Sequence, residues 1–181
     1  MNKLKILGIK IIDRIKEAGK TQIVLSRHSE IIHSRIGFHE LNEFVCSRIG
    51  YVLLELCGDE SKWETLISDL ENIGGLQIQQ MLFEPFAKTE ENKIVNTETE
   101  NQIRILGILI DKKQDNTEQF QYILTKYGCS IKLRVGINFK TDIGNAGVIL
   151  LELVGDTRET IALQKELHEK TKVLMQKIVF D

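Results

Sequence analysis

The sequence predicts an α+β protein of two tandem βαββαβ units, each a four-stranded antiparallel sheet with two helices on one face. Three observations predict it. First, the chain repeats itself: Arg35-Ile-Gly37 recurs as Arg134-Val-Gly136 at an offset of 99 residues, and Leu53-Leu-Glu-Leu-Cys-Gly-Asp59 recurs as Leu150-Leu-Glu-Leu-Val-Gly-Asp156 at an offset of 97. Residues 6–37 match 105–136 at 10 of 32 positions and 50–84 match 147–181 at 11 of 35, too ordered for chance. Second, within each copy the apolar pattern switches between period 2 and period 3.6. Third, a polar stretch carrying the only proline, Pro85, separates the copies. The division is 1–84, linker 85–102, and 103–181, with net charges of −2, −2 and +2.

Each copy reads strand, helix, strand, strand, helix, strand. Leu7, Ile9 and Ile11 alternate as Leu106, Ile108 and Ile110 do, which is the pattern of a half-buried strand. Phe120, Ile123, Leu124 and Tyr127 then form a helical stripe, with Asn116 as its N-cap. The first copy is weaker here: it offers Thr21, Val24, Leu25 and His28, and Gly19 lowers helix propensity by about 1 kcal/mol relative to alanine. The next strand alternates Ile32, Ser34, Ile36, Phe38 against Ile131, Leu133, Val135, Ile137. Its other face carries His33 or Lys132, Arg35 or Arg134, and Gly37 or Gly136, and this is expected to be the face turned away from the core. The two-residue slip between offsets falls between Gly37 and Gly50, where a hairpin connection tolerates a length change.

A third strand covers 51–57 and 148–154. Asp59 and Asp156 follow as helix N-caps, ahead of Trp63, Leu66, Ile67 and Leu70 or Leu163 and Leu167. A last strand runs through 78–83 or 173–180. In about 80 residues this order is the ferredoxin-like split-βαβ plan. The helix-free face would carry Ile6, Leu53, Met81 and Phe83 with Arg35 and Glu55. That face is too apolar to stay wet, so self-association through sheets is expected, as an intramolecular pseudo-dimer or a homodimer. A linker of 18 residues, reaching about 60 Å when extended, permits either.

Composition narrows the function. With 42% apolar and 28% charged residues the chain is globular rather than disordered. No run approaches the ~20 apolar residues of a membrane span, and no small-residue cleavage site follows the apolar start. A net charge of −2 provides no broad basic field, so direct nucleic-acid binding is not expected. Cys46, Cys57 and Cys129 are too few for a disulfide framework, which fits a cytoplasmic protein.

The Arg-x-Gly strand end and the Leu-Leu-Glu-Leu-x-Gly-Asp step into a helix recur across residues 31–38, 50–83, 130–139 and 147–180, about four-fifths of the chain. In these segments each half resembles the iron-only hydrogenase system regulator family, single units related to ACT domains and to the C-terminal domain of the nickel-responsive regulator. The resemblance implies an ACT-like, non-enzymatic regulatory or ligand-sensing module assembled by pairing sheets. It also implies small ligands held near residues 13–16, 111–114, 35–39 and 134–138. Fusion of two copies departs from the family's single unit.

Arg35 and Arg134 are polar positions kept in both copies, each two residues before a glycine. An ion pair between the copies, to Glu55 or Glu152, is the commoner fate of such a charge. The sharper alternative is an arginine fork holding a carboxylate or phosphate, with the glycine letting the ligand approach the backbone. The ligand-binding candidates are therefore Arg35, Gly37 and His39, with Arg134, Gly136 and Asn138. His28, His33, His39 and Cys46 suggest a nickel or zinc set, but the second copy has Tyr127 and Lys132 in place of His28 and His33. Ala18-Gly-Lys-Thr21 ends like a phosphate-binding loop, yet Arg14 stands where that loop needs its first glycine. Cys57 reads as a small core residue rather than a nucleophile. No cofactor is called for. The function expected is a regulatory or small-ligand-sensing module, a transcriptional regulator acting through a partner. A structural pairing module and a metal-responsive regulator are the alternatives.

Overall fold

Asp13, Asp59 and Asp156 fix where three helices begin, because each carboxylate accepts the backbone N–H two residues on, at 3.0, 2.9 and 2.8 Å. Each such cap stabilises by about 1 kcal/mol. The computed structural model describes residues 3–40, 47–84, 102–111, 117–141 and 144–181. The expected cap Asn116 and nearly all of the 85–102 linker lie outside the described residues. The chain divides into two units, Leu4–Leu82, and Phe83–Asp181 with Met1–Lys3.

The first unit runs β1 (Leu4–Ile11), α1 (Arg14–Arg27), β2 (Ile32–Phe38), β3 (Gly50–Leu56), α2 (Glu60–Glu71) and β4 (Leu76–Phe83). The second runs β5 (Ile103–Asp111), α3 (Thr117–Lys126), β6 (Ile131–Thr141), β7 (Gly144–Leu153), α4 (Thr157–Thr171) and β8 (Leu174–Phe180). A short 3-10 turn follows the first helix of each, at Ser29–Ile31 and Gly128–Ser130. The sheets order as β2-β3-β1-β4 and β6-β7-β5-β8, the ferredoxin-like arrangement, with each first strand in the middle. Both units thus have the same ferredoxin-like plan.

Each unit has its own core. Leu7, Ile9 and Ile11 meet Val24 and Leu25 of α1 and Trp63, Leu66 and Leu70 of α2. Leu106 and Ile108 meet Phe120, Ile123 and Leu124 of α3 and Leu163 and Leu167 of α4. The glycine of the repeated Leu-Leu-Glu-Leu-x-Gly-Asp step has a backbone reason. Gly58 (φ 78°) and Gly155 (φ 74°) turn the chain from strand to helix in the left-handed region, which disfavours any side chain.

One expectation is overturned. His33 and Lys132 each add an extra residue to an edge strand, so that Ile32 pairs Leu56 and Ser34 pairs Glu55, and likewise Ile131 pairs Leu153 and Leu133 pairs Glu152. Beyond such a bulge every side chain changes face. Ile32 stays with the core, but Ser34, Ile36 and Phe38 join Tyr51, Leu53 and Glu55 on the helix-free face, where Phe38 stacks on Tyr51 with ring centroids 5.3 Å apart. Arg35 therefore does not share the helix-free face with Glu55. It lies on the helix side, as does Arg134, which pairs with the core residue Leu151.

Candidate functional site

The edge strands β2 and β6 each present Arg-x-Gly beside the outer flank of the unit's first helix. The Arg35 guanidinium donates to Gln22 Oε1 of α1, and Arg134 donates to Gln121 Oε1 of α3 at 3.0 Å. Gln22 and Gln121 are themselves related by the offset of 99 residues, so the whole pair is duplicated. A side-chain amide is a neutral acceptor. It orients the planar guanidinium without cancelling its charge. Both arginines are exposed, and among the described residues neither forms an ion pair.

Within each unit the arginine does not pair with the glutamate of its own sheet. Glu55 accepts a hydrogen bond from Ser34 Oγ at 2.6 Å, and Glu152 lies 3.1 Å from Lys132 Nζ. The reason is the bulge, which leaves the arginines and these carboxylates on opposite faces of the same sheets.

Gly37 and Gly136 continue the arginine face along each edge strand, two residues on. Neither is glycine for lack of room: a Cβ at Gly37 would come no nearer than 3.9 Å to Tyr51 O, and at Gly136 it would meet nothing within 4 Å. Asn138 sits exposed two residues further along β6. His39 lies just past the end of β2, with Nδ1 3.2 Å from the Glu40 carbonyl. Each copy thus brings Arg, Gly and Gln together on one strip, with Asn138 extending it in the second.

The first strand-helix turn is occupied by internal contacts. Asp13 caps α1 and lies 3.4 Å from an Arg48 guanidinium nitrogen, and Arg14 Nη2 donates to Ser47 O at 2.7 Å. Residues 112–114 lie outside the described residues. The loop reading of Ala18-Gly-Lys-Thr21 has no structural basis, because all four residues are inside α1 and the Thr21 hydroxyl donates to Glu17 O at 2.8 Å.

Among the described residues no cluster of three His, Cys, Asp or Glu is placed to hold a metal. Cys46 lies outside them. His28 ends α1 with Nε2 2.8 Å from Asp69 Oδ2 of α2, and Tyr127 OH makes the equivalent contact to Glu166 of α4 at 2.9 Å. Cys57 is half-buried just after β3 rather than a core residue, and burial, with the nearby Glu55 charge, pushes its thiol up and away from the reactive thiolate.

The glutamines were the functional candidates that residue chemistry alone did not suggest. The signal was present: position 22 and position 121 are identical in two helices that otherwise share little.

No family model matches the chain. No curated protein matches it either. Solved structures do. An uncharacterised protein from Thermotoga maritima aligns at 25% identity and a TM-score of 0.40, covering 45% of this chain and 99% of its own. The acetolactate synthase small subunit from Thermotoga maritima aligns at 12% identity and a TM-score of 0.35, over 98% of this chain and 96% of its own. The regulatory subunit of aspartate kinase from Thermus thermophilus aligns at 13% identity and a TM-score of 0.32, over 94% and 93%. Among the described residues no helix is long and apolar enough to cross a membrane.

Proposed function

We propose that the chain is a non-enzymatic regulatory module that senses a small anion, a carboxylate or phosphate compound, at the Arg-x-Gly strip of its edge strands. The observation that carries this reading is the duplicated Arg–Gln pair, whose guanidinium is held in place by a neutral amide and keeps its charge. A bidentate anion is the partner that fits a fixed planar fork. Gly37 and Gly136 leave the strand backbone open to it, and His39 or Asn138 supplies a further polar contact at the end of the strip. The resemblance of each half to the iron-only hydrogenase system regulators points the same way, toward a regulator that acts through a partner.

Thermal-shift screening against amino acids and nucleotides tests the reading. A ligand at a hundredfold its dissociation constant should stabilise by about 2.7 kcal/mol. Arg35→Ala with Arg134→Ala should abolish that shift, and Gly136→Val should weaken it in a protein that still folds. A shift that survives both arginine substitutions places the ligand elsewhere. No shift with any compound leaves a structural pairing module, and a shift with Ni²⁺ or Zn²⁺ alone favours the metal-responsive alternative.

A further inference from the structure

Strand β6 is an outer edge of its sheet. Among the described residues it pairs with β7 alone, from Ile131 against Leu153 to Thr141 against Gly144. Alternate residues of β6 therefore turn their backbone N–H and C=O groups outward with no strand beside them. At 11 residues it is longer than β2, the corresponding edge of the first unit, which has 7. An open edge of that length is a template on which another extended chain can add.

Beyond the bulge at Lys132, one face of this edge carries Arg134, Gly136, Asn138 and Lys140 in succession, all exposed. Six residues separate Arg134 from Lys140, about 20 Å along a strand. Neither cation has an acidic partner among the described residues: Arg134 donates to the neutral amide of Gln121, and the Lys140 ammonium makes no hydrogen bond or ion pair. Packing inside the unit gives no reason for Gly136, since a Cβ there would meet nothing within 4 Å. Glycine within a strand marks a place where a ligand or another backbone comes close. The second unit as a whole carries a net charge of +2, against −2 for the first.

The first copy has the arginine and the glycine but not the row. β2 ends at Phe38, His39 stands at the position of Asn138, and Leu41 stands at that of Lys140. The two edges therefore differ in both length and charge.

We propose that the β6 edge binds an extended acidic segment of a partner protein, which adds to the sheet as a further strand and sets carboxylates from alternate positions against Arg134 and Lys140. Backbone pairing supplies the hold, and the cationic row selects the charge. This names the partner of the second strip and rests on Arg134 being an oriented cation whose charge is not cancelled, not on the anion being small. A second copy of the chain fits less well. One β6 edge set in register against another places Arg134 and Lys140 opposite cations in either direction, and like charges facing across a ladder destabilise it. A cationic edge is a common guard against self-pairing, and the same row admits a strand of opposite charge. Single-stranded nucleic acid is also a poorer fit, for the row has only two cations and no aromatic side chain on which a base could stack.

The test uses the full chain and a fluorescein-labelled peptide of about nine residues that alternates glutamate with threonine or valine, without small ligand. Fluorescence polarisation should show saturable binding that weakens as salt is raised. Arg134→Ala and Lys140→Ala should each weaken it about fivefold. Arg134→Glu with Lys140→Glu should turn the preference to the same peptide with lysine in place of glutamate. Lys165→Ala, at an exposed lysine of α4, should leave binding unchanged. Two peptides N-methylated at alternate amides separate strand addition from charge attraction: methyl groups along one edge of the peptide should abolish binding, and along the other edge should spare it. All the substituted positions are exposed, and circular dichroism checks that the variants fold. The proposal is overturned by an absence of saturable binding, by two N-methylated forms that behave alike, by tighter binding of a single-stranded DNA of the same charge, or by a dimer of the chain that Lys140→Glu disperses. A peptide that fails to bind while a small anion still gives its thermal shift overturns this inference alone, and a peptide that binds where no small anion does overturns the small-anion reading alone.

Discussion

Lys5 and Arg104 occupy equivalent places in the two copies, and their surroundings have changed together. The Lys5 ammonium lies 5.4 Å from the centre of the Trp63 ring and donates to Glu64 at 2.9 Å. Fully buried Arg104 instead donates to Thr160 Oγ1 at 3.2 Å and to Gly155 O at 2.9 Å, and Thr160 stands at the position of Trp63. A large cation over a small residue replaces a slimmer cation over a large one, which conserves volume. Trp63→Thr alone should cost about 3–5 kcal/mol. Adding Lys5→Arg should recover about 1–2 kcal/mol of it, a coupling that a denaturant double-mutant cycle measures. A second residue carries a pH signature. Burial pushes the Lys177 ammonium down to about 8, with Gln164 Oε1 accepting from it at 3.0 Å. The unfolded chain then holds more protons than the folded one between about pH 8 and pH 10.5, so stability should rise with pH across that window and be lost as pH falls through 8. Lys177→Gln, which restores the residue of the first copy at Gln80, should flatten that rise in denaturation midpoints measured from pH 7 to 10.5.

Pairs of helices are clamped differently in the two units. In the first, His28 faces Asp69 across α1 and α2. In the second, Glu166 of α4 accepts from Lys126 at 2.6 Å, from Tyr127 at 2.9 Å and from Lys170 at 2.6 Å. Lys126 foremost, then Lys170 and Tyr127, hold the Glu166 carboxyl down to about 2. That stabilisation is present above the ordinary value of 4.5 and is lost as pH falls through about 2. Glu166→Gln should therefore be less stable than the parent at pH 5 to 7, with the gap closing toward pH 2, read from urea midpoints and from hydrogen exchange in α3 and α4. The edge strands make a contrasting point about legibility. Helix faces follow from spacing alone, and Val24, Leu25, Leu66 and Leu70 are buried where the period of 3.6 puts them. Strand faces follow only while the ladder is regular, and a single extra residue at His33 or Lys132 reverses every position beyond it.

The whole molecule is one blueprint used twice, with separate cores whose residues correspond. Leu66 and Leu163 are equivalent and both fully buried. Replacing either with alanine should cost about 2–5 kcal/mol. Trp63 is the only tryptophan and lies in the first core, so its fluorescence follows that unit, and Leu66→Ala should move the tryptophan transition to lower denaturant. By itself the sequence determined the duplication, the βαββαβ order of each half, the aspartate caps at Asp59 and Asp156, and the core-facing stripes, because repeats and periodicity are local properties of a chain. It also marked Arg35 and Arg134 as positions worth keeping. Only the tertiary structure decided which side of the sheet these arginines take and that Gln22 and Gln121 hold them. A bulge is defined by two strands together, and an alternating pattern read along one strand cannot register which residue its neighbour leaves unpaired.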